Sequence, residues 1–410
     1  MRVGIIGAGL TGLVAAKTLS NQGIQVVVYE KMTVPGGRMR TEEIDGWHLD
    51  VGFQVLLSAY PYLKKHVDFS DINMKNLDAA AVVFRDRNTA VVGDPFRTRG
   101  VLLKTIVSSV GSIRDKYLIF KLKRYVDRLS VSGIFDLQSV STLVFLKRFG
   151  FSKKIISRFF KPFFGGIFLE SDLSTSSRMF LFIFKMFADG NAVLPKHGIG
   201  SVAENIVNQL KKVIINYNSS VFRIDNDKST IILKNGREFK FDYIINTIPN
   251  FGNYNSEDKW QGCYNLYFEH NTPAVIEEVR IGLNANNNRL INNLFYPSSV
   301  FTPTSKSGRC LLSVTVIDGN DLSETEIIER VTGELIEDFA LSNKNLKFLK
   351  LYSIPYSLPK RELPKYEVNF DSYEGSVFHV GDFCANGSQN AACSIGEAIA
   401  LQIMDRHSCK

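Results

Sequence analysis

Val3–Gly7 is a short uncharged run, followed by Gly7-Ala8-Gly9-Leu10-Thr11-Gly12 and a helical apolar pattern through Leu13, Ala16 and Leu19. Strand, tight turn and helix in that order leave few folds open. Gly7 permits the turn, Gly9 lets the backbone approach a pyrophosphate, and Gly12 allows a helix to pack closely on a strand. The helix start offers unpaired amides and the positive end of a dipole to phosphate. Gly23 ends the helix, and Ile24–Tyr29 reads as a second buried strand that stops at Glu30, eighteen residues after Gly12. A carboxylate there can accept hydrogen bonds from ribose hydroxyls. A glycine pattern alone is a weak signal. Flanked by strands, a helix and an acid at this spacing, it specifies an α/β fold with a Rossmann-like dinucleotide site at Gly7, Gly9, Leu10, Thr11, Gly12, Glu30 and Lys31.

The next segment, Pro35-Gly36-Gly37-Arg38-Met39-Arg40-Thr41, narrows the cofactor. Together with Gly7–Gly12 and Glu30 it resembles the FAD-dependent amine oxidase, phytoene desaturase and protoporphyrinogen oxidase superfamily. The resemblance gives Gly36 and Gly37 to the cofactor site and Arg38 to its phosphates. A guanidinium suits that role, because its planar fork matches phosphate oxygens. At the other end of the chain, Ser376–Val380 reads as a strand, Gly381-Asp382 ends it, and Gly387–Ala398 has the small-residue spacing of a helix packed close to a ligand. In the same superfamily this is the last cofactor motif. The resemblance puts Asp382 on the ribityl or phosphate region and the helix start at Gln389, Asn390 and Ala391 near the pyrimidine end of the flavin, where a helix N-terminus would stabilise negative charge.

Two interior segments extend the resemblance. Leu49–Leu57 is similar to the stretch that approaches the flavin ring, with Gly52 allowing close backbone approach and Phe53 and Gln54 beside it. Val221–Ile224, Thr230–Lys234 and Phe241–Thr247 read as a meander returning to the parallel sheet, with Asn235-Gly236 as a hairpin turn. The resemblance brings the Val221 backbone to the adenine. Five cysteines, Cys263, Cys310, Cys384, Cys393 and Cys409, are an odd number without paired short spacing. Neither a metal site nor a disulfide framework is expected, and FAD is expected to bind noncovalently.

The 410 residues exceed the size at which one core stops growing, so two domains are expected. Chain crossings interleave them. A Rossmann-like FAD-binding domain takes residues 1–78, 190–249 and 365–410, and an α+β substrate domain takes 79–189 and 250–364. Residues from about Ala79 to Gly190 are helical in pattern and Phe-rich, and Pro162–Gly166 resembles a segment of desaturase-like members. Cavity lining and ordinary core both suit it. Leu194–Gly200 precedes Ser201-Val202-Ala203-Glu204, a capping-box signature; His197 stands where the family often has a first glycine. From Asn250 to Pro364, strand patterns at Cys263–Phe268, Ala274–Leu283, Leu290–Tyr296, Cys310–Val316 and Leu346–Ile354, with a helix at Glu324–Ala340, imply an antiparallel sheet backed by a helix. The superfamily places such a sheet over the flavin, which makes Trp260, Tyr352 and Tyr356 candidates to face the ring. His48 is read as a structural donor.

No run reaches the apolar length that spans a bilayer. The apolar start at Val3 is already a strand, so no cleavable signal and a cytoplasmic location are expected. The net charge of +8 concentrates between Arg97 and Arg128, where nine basic residues face two acids. Lys116–Leu129 is amphipathic, with Leu118, Leu122, Tyr125, Val126 and Leu129 on one face and Lys121, Arg124 and Arg128 opposite. Peripheral contact with an anionic membrane through residues 97–128 and a plain solvated face both fit. No reading motif for nucleic acid accompanies the charge. The expected activity is hydride removal from a substrate C–H bond, with an apolar substrate undergoing desaturation. Amine oxidation with oxygen as acceptor and a redox-neutral flavin isomerase are the alternatives.

Overall fold

A computed structural model describes residues 1–94, 97, 108–249, 251, 260–319, 321–360, 363–370 and 375–408. Residues 98–107 of the basic stretch, and Cys409, lie outside the described residues. One sheet is parallel throughout and runs in the order Val213–Asn216, Gln25–Tyr29, Arg2–Ile6, Tyr243–Asn246, Val377–His379. Its central strands are apolar on both faces because both faces are covered. Helices Leu10–Asn21 and Gln389–Ser408 pack on one side. On the other, the meander Val221–Asp225, Thr230–Leu233, Glu238–Lys240 brings Ile231, Leu233 and nearby Phe241 against Ile6, Val27 and Tyr29. The first and last helices approach closely: a Cβ added to Gly396 would lie 2.4 Å from the Thr11 carbonyl oxygen.

A second sheet has seven strands, in the order Lys347–Pro359, Trp260–His270, Cys310–Val316, Ile291–Phe295, Ile281–Asn284, Ala80–Arg85, Asn88–Gly93. Its outer face buries Leu266, Leu312, Val314 and Val316 against Ile327, Val331 and Leu335 of the helix Glu324–Phe339. Two sequence expectations are corrected here. The sheet is mixed, because Ile281–Asn284 pairs in parallel with Ala80–Arg85. The segment from Ala79 therefore opens with a hairpin, not a helix. Its turn residues Asp86 and Arg87 both have positive φ, 50° and 61°, the conformation of tight hairpins usually marked by glycine or asparagine. In addition, the expected strand Ala274–Leu283 is confined to Ile281–Asn284.

The helices of the insertion, among them Ile113–Asp127, Lys161–Phe168 and Ser177–Asp189, form an aromatic-rich body beside this sheet. Pro162 lacks an amide to return to the carbonyl four residues back. The chain answers with a wider π turn over Ile156–Phe160, in which the Lys161 amide donates to the Ile156 carbonyl. The helix expected to start with a Ser201 capping box instead begins at Gly200, with Ile199 at the cap and no side-chain cap of its own. Residues distant in sequence supply it: Asp50 Oδ1 accepts from the Ile199 amide at 2.9 Å and Thr41 Oγ1 from the Gly200 amide at 2.9 Å. Among the described residues, no helix is long and apolar enough to cross a membrane.

Candidate cofactor and substrate cavity

A cavity of about 1890 Å³ is lined by residues of the parallel sheet, the seven-stranded sheet and the helical insertion. At one end is a glycine cradle. Gly7, Gly36 and Gly37 have φ of 99°, 111° and 60°, a left-handed region that a Cβ disfavours. Gly9 has only open space where a Cβ would stand, and it lines the cavity with Leu10 and Thr11. Gly12 does not. Its added Cβ would fall 2.1 Å from the Gly7 carbonyl oxygen, so it sets the helix against the turn. Glu30 is buried and fixed, its Oε2 accepting from the Ala8 amide at 2.8 Å and its Oε1 from the Met32 amide at 2.9 Å. Lys31, Val221 and, unforeseen from the sequence, Ser219, Ser220 and Thr247 continue this wall.

Arg38 joins the two chain ends. Its Nη2 donates to Asp382 Oδ1 at 2.6 Å, its Nη1 to the Ser357 carbonyl at 2.8 Å, and its guanidinium lies 5.9 Å from the Trp260 ring. Both Arg38 and Asp382 line the cavity. Gly381 does not; it leads into the turn that carries Asp382. Gly52, at φ 145°, lines the next section with Phe53 and Gln54. Gln54 is held by a donation from its Nε2 to the Arg38 carbonyl at 2.8 Å. Gln389, at the start of the last helix, also lines the wall and keeps a buried Oε1 without a partner.

Several expected site residues are elsewhere. Asn390 and Ala391 are fully buried behind the helix start, where Asn390 Oδ1 accepts from the Tyr62 amide at 2.9 Å. Tyr352 is in a core with Trp47, Leu49 and Tyr267, and its hydroxyl donates to Glu42 Oε2 at 2.8 Å. Trp260 is nearly fully buried, edge-on to Tyr356 and Phe383. Of these three aromatics only Tyr356 lines the cavity. His48 packs against His197 and Phe301, away from it; burial and the neighbouring His197 lower its pKa.

The far wall is different in kind. Phe120, Phe159, Phe160, Phe163, Phe164 and Phe187 line it, with Ile119, Ile155 and Ile183. Two carboxylates on this wall are already engaged. Glu170 accepts from the Thr175 amide at 2.8 Å and from Ser174 Oγ at 2.7 Å, and Asp78 accepts from Arg280 Nε at 2.8 Å. Of the two cysteines in the last motif, neither lines the cavity; Cys393 is fully buried, which pushes its thiol up to about 12.

The cradle tests well against FAD. Open space at Gly9, a buried acid beside it, a guanidinium and a helix start are the donor and acceptor set that a pyrophosphate, a ribose and a flavin ring require. Comparison with known proteins agrees. A 165-residue stretch is 25% identical to protoporphyrinogen oxidase 2, chloroplastic/mitochondrial, of Arabidopsis thaliana, covering 40% of this chain and 32% of that protein. A 57-residue stretch is 42% identical to a 4,4'-diapophytoene desaturase (4,4'-diaponeurosporene-forming) of Staphylococcus aureus strain bovine RF122 / ET3-1, covering 14% of this chain and 11% of that one. The matches thus span a third or less of these relatives' length. Over whole chains the fold is similar to an oxidoreductase from Methanosarcina mazei (17% identity, TM-score 0.73, 99% of this chain and 100% of that one). It is similar also to wild-type putrescine oxidase bound to putrescine (18%, 0.69, 99% and 100%) and to reduced UDP-galactopyranose mutase (18%, 0.69, 99% and 96%). The profile of flavin-containing amine oxidoreductases matches residues 10–350, so the chain belongs to that family.

Proposed function

We propose that this enzyme dehydrogenates a largely apolar substrate, taking a hydride equivalent and a proton from neighbouring atoms to leave a double bond. The observation that carries the reading is the phenylalanine-lined arm of the cavity. FAD, when bound, supplies the two-electron acceptor. Gly7, Gly9, Leu10, Thr11, Glu30, Lys31, Gly36, Gly37, Arg38, Gly52, Val221, Asp382 and Gln389 would hold it. Phe53, Gln54 and Tyr356 would stand on the substrate side. The apolar wall excludes water and places a C–H bond, and Arg38 keeps positive charge on the cofactor side of the site.

An amine substrate is less well served, since a cation would need a free carboxylate or an aromatic cage. The carboxylate-bearing residues on that wall, Glu170, Asp78 and Asp94, all have partners, and Tyr352 and Trp260 do not line the cavity. A helix that lines the cavity supports a lipid-like substrate. On the helix Ile113–Asp127, Leu118, Leu122 and Val126 are buried as expected, whereas Tyr125, expected on the same face, is exposed, and the outward face is not merely charged. Ile113, Tyr117 and Phe120 are 80%, 64% and 51% exposed, beside Lys121, Arg124 and Arg128, and Phe120, Lys116 and Lys123 also line the cavity. This face would rest on an anionic membrane from the cytoplasmic side.

Anaerobic incubation of the FAD-loaded enzyme with a panel of long-chain alkenes and a panel of primary and secondary amines tests the reading. Flavin bleaching by an alkene, with a product two hydrogens lighter by mass, is expected. Bleaching by amines alone would transfer the enzyme to amine oxidation, and turnover only of pre-reduced enzyme without net oxidation would make it an isomerase. For the membrane face, wild-type protein should sediment with anionic vesicles and the Lys121, Arg124, Arg128→Ala variant should not. Wild-type protein that never binds them removes the membrane from the account.

A further inference from the structure

The seven-stranded sheet presents a polar row to the otherwise apolar cavity. Asn265, Thr315 and Asn293 stand on three adjacent antiparallel strands, with Thr315 opposite both others in register. They are 0%, 6% and 4% exposed, and all three line the cavity. Each keeps a buried atom without a partner: Asn265 Nδ2, Thr315 Oγ1 and Asn293 Oδ1. Their other polar atoms fix the orientation. Ser313 Oγ donates to Asn265 Oδ1 at 3.0 Å, and Asn293 Nδ2 donates to Asn292 Oδ1 at 2.8 Å.

Buried polar groups left unpaired are unfavourable, whereas apolar residues of the same shape would fit without that cost. Three such groups side by side in a cavity therefore point to a ligand that satisfies them. The row ends beneath the helical insertion. A Cβ on Gly166 would stand 2.8 Å from Asn293 Nδ2 and 2.4 Å from Asn292 Oδ1, so glycine at that position makes room for the two amides. The glycine cradle belongs instead to the wall built on the parallel sheet.

We propose that Asn265, Thr315 and Asn293 bind one neutral polar group on the substrate, a hydroxyl or an amide that accepts from Asn265 Nδ2 and donates to Asn293 Oδ1. A carboxylate would meet the Asn293 acceptor, and an ammonium would meet the Asn265 donor; neither matches both ends of the row. The proposal rests on the apolar-substrate reading above and adds its polar anchor. Long apolar molecules that carry a hydroxyl or an amide at one point would thus bind more tightly than the corresponding bare hydrocarbons.

The test uses FAD-loaded enzyme and two probes of equal length, oleyl alcohol and 9-octadecene, with binding read from the shift in flavin absorption. Wild-type enzyme is expected to bind the alcohol more tightly. Thr315→Val and Asn293→Leu should each weaken the alcohol about tenfold, leave the hydrocarbon unchanged or tighter, and leave FAD affinity, titrated without probe, unchanged. Equal binding of the two probes to wild-type enzyme overturns the row as an anchor while leaving the apolar cavity standing. A matching loss for both probes in the variants would mean a structural role, and a matching loss of FAD affinity would assign the row to the cofactor; either overturns the proposal. If wild-type enzyme binds neither probe, the apolar-substrate reading falls and takes the anchor with it.

Discussion

The two ends of the cavity are built from different materials. The cradle is backbone against backbone: a Cβ on Gly12 would lie 2.1 Å from the Gly7 oxygen, on Gly36 2.4 Å from the Met39 oxygen, and on Gly396 2.4 Å from the Thr11 oxygen. The far wall is ring against ring, with Phe164 and Phe180 centroids 4.7 Å apart, Phe159 and Phe163 stacked at 5.4 Å, and Phe160 and Phe180 at 6.0 Å. Backbone contacts at those distances admit only glycine, so one wall depends on spacing. Ring contacts are interchangeable among residues of similar volume, so the other depends on composition and can be reshaped for another substrate.

Substitutions can break this contrast. The largest effect is expected from Gly12→Val, where no side chain can retreat from a carbonyl; a loss above roughly 4 kcal/mol, enough to prevent folding, would be read as insoluble or unfolded protein. Phe160→Ala in the ring wall should cost about 3 kcal/mol in a denaturant melt yet leave a folded protein that still takes up FAD. The reverse ranking would refute the distinction. Asp50 ties the helix start at Gly200 to the seven-stranded sheet, since its Oδ1 accepts from Thr41 Oγ1 and the Ile199 amide and its carbonyl from the Tyr267 hydroxyl. Desolvation pushes its pKa up to about 6. The folded state thus holds the proton more tightly than the unfolded chain, so this contribution is complete below about pH 4 and is lost as pH rises through 6, by about 3 kcal/mol in all. Across that window the melting temperature should fall with rising pH in wild type and lose that part of its fall in Asp50→Asn; parallel curves would sink the assignment. Smallest is Arg38→Ala, which should weaken FAD about tenfold at unchanged secondary structure, measured by flavin fluorescence titration. Undiminished affinity would remove Arg38 from the cofactor wall.

The same contrast explains what could be read from the sequence. Gly7–Gly12, Glu30, Gly36–Arg38 and Asp382 were legible because close backbone approach forces glycine at fixed spacing and a charge at a fixed distance. Elements set by distant contacts were not. The hairpin Ala80–Gly93 turns through Asp86 and Arg87 without a glycine signature. The helix at Gly200 is capped by Thr41 and Asp50, more than a hundred residues away. Tyr352 is opposite Asn265, on the sheet face the sequence favoured, but the strand Trp47–Asp50 supplies the side chains that cover it. Asn265, Asn293 and Thr315 gave no signal, because in a sequence an asparagine within a strand reads like any solvent-facing residue.

The most direct test of the backbone-built cradle is a titration of FAD into the apoprotein of wild type and Gly9→Ala. The added methyl meets nothing within 4 Å in the protein, so folding and melting temperature should be unchanged. The account predicts that wild-type protein binds FAD with a two-banded flavin spectrum, that the flavin passes a filter after denaturation, and that the variant binds at least tenfold more weakly because the methyl occupies the pyrophosphate's path. Equal affinity in the two proteins would contradict the claim that the open space at Gly9 is where the cofactor runs.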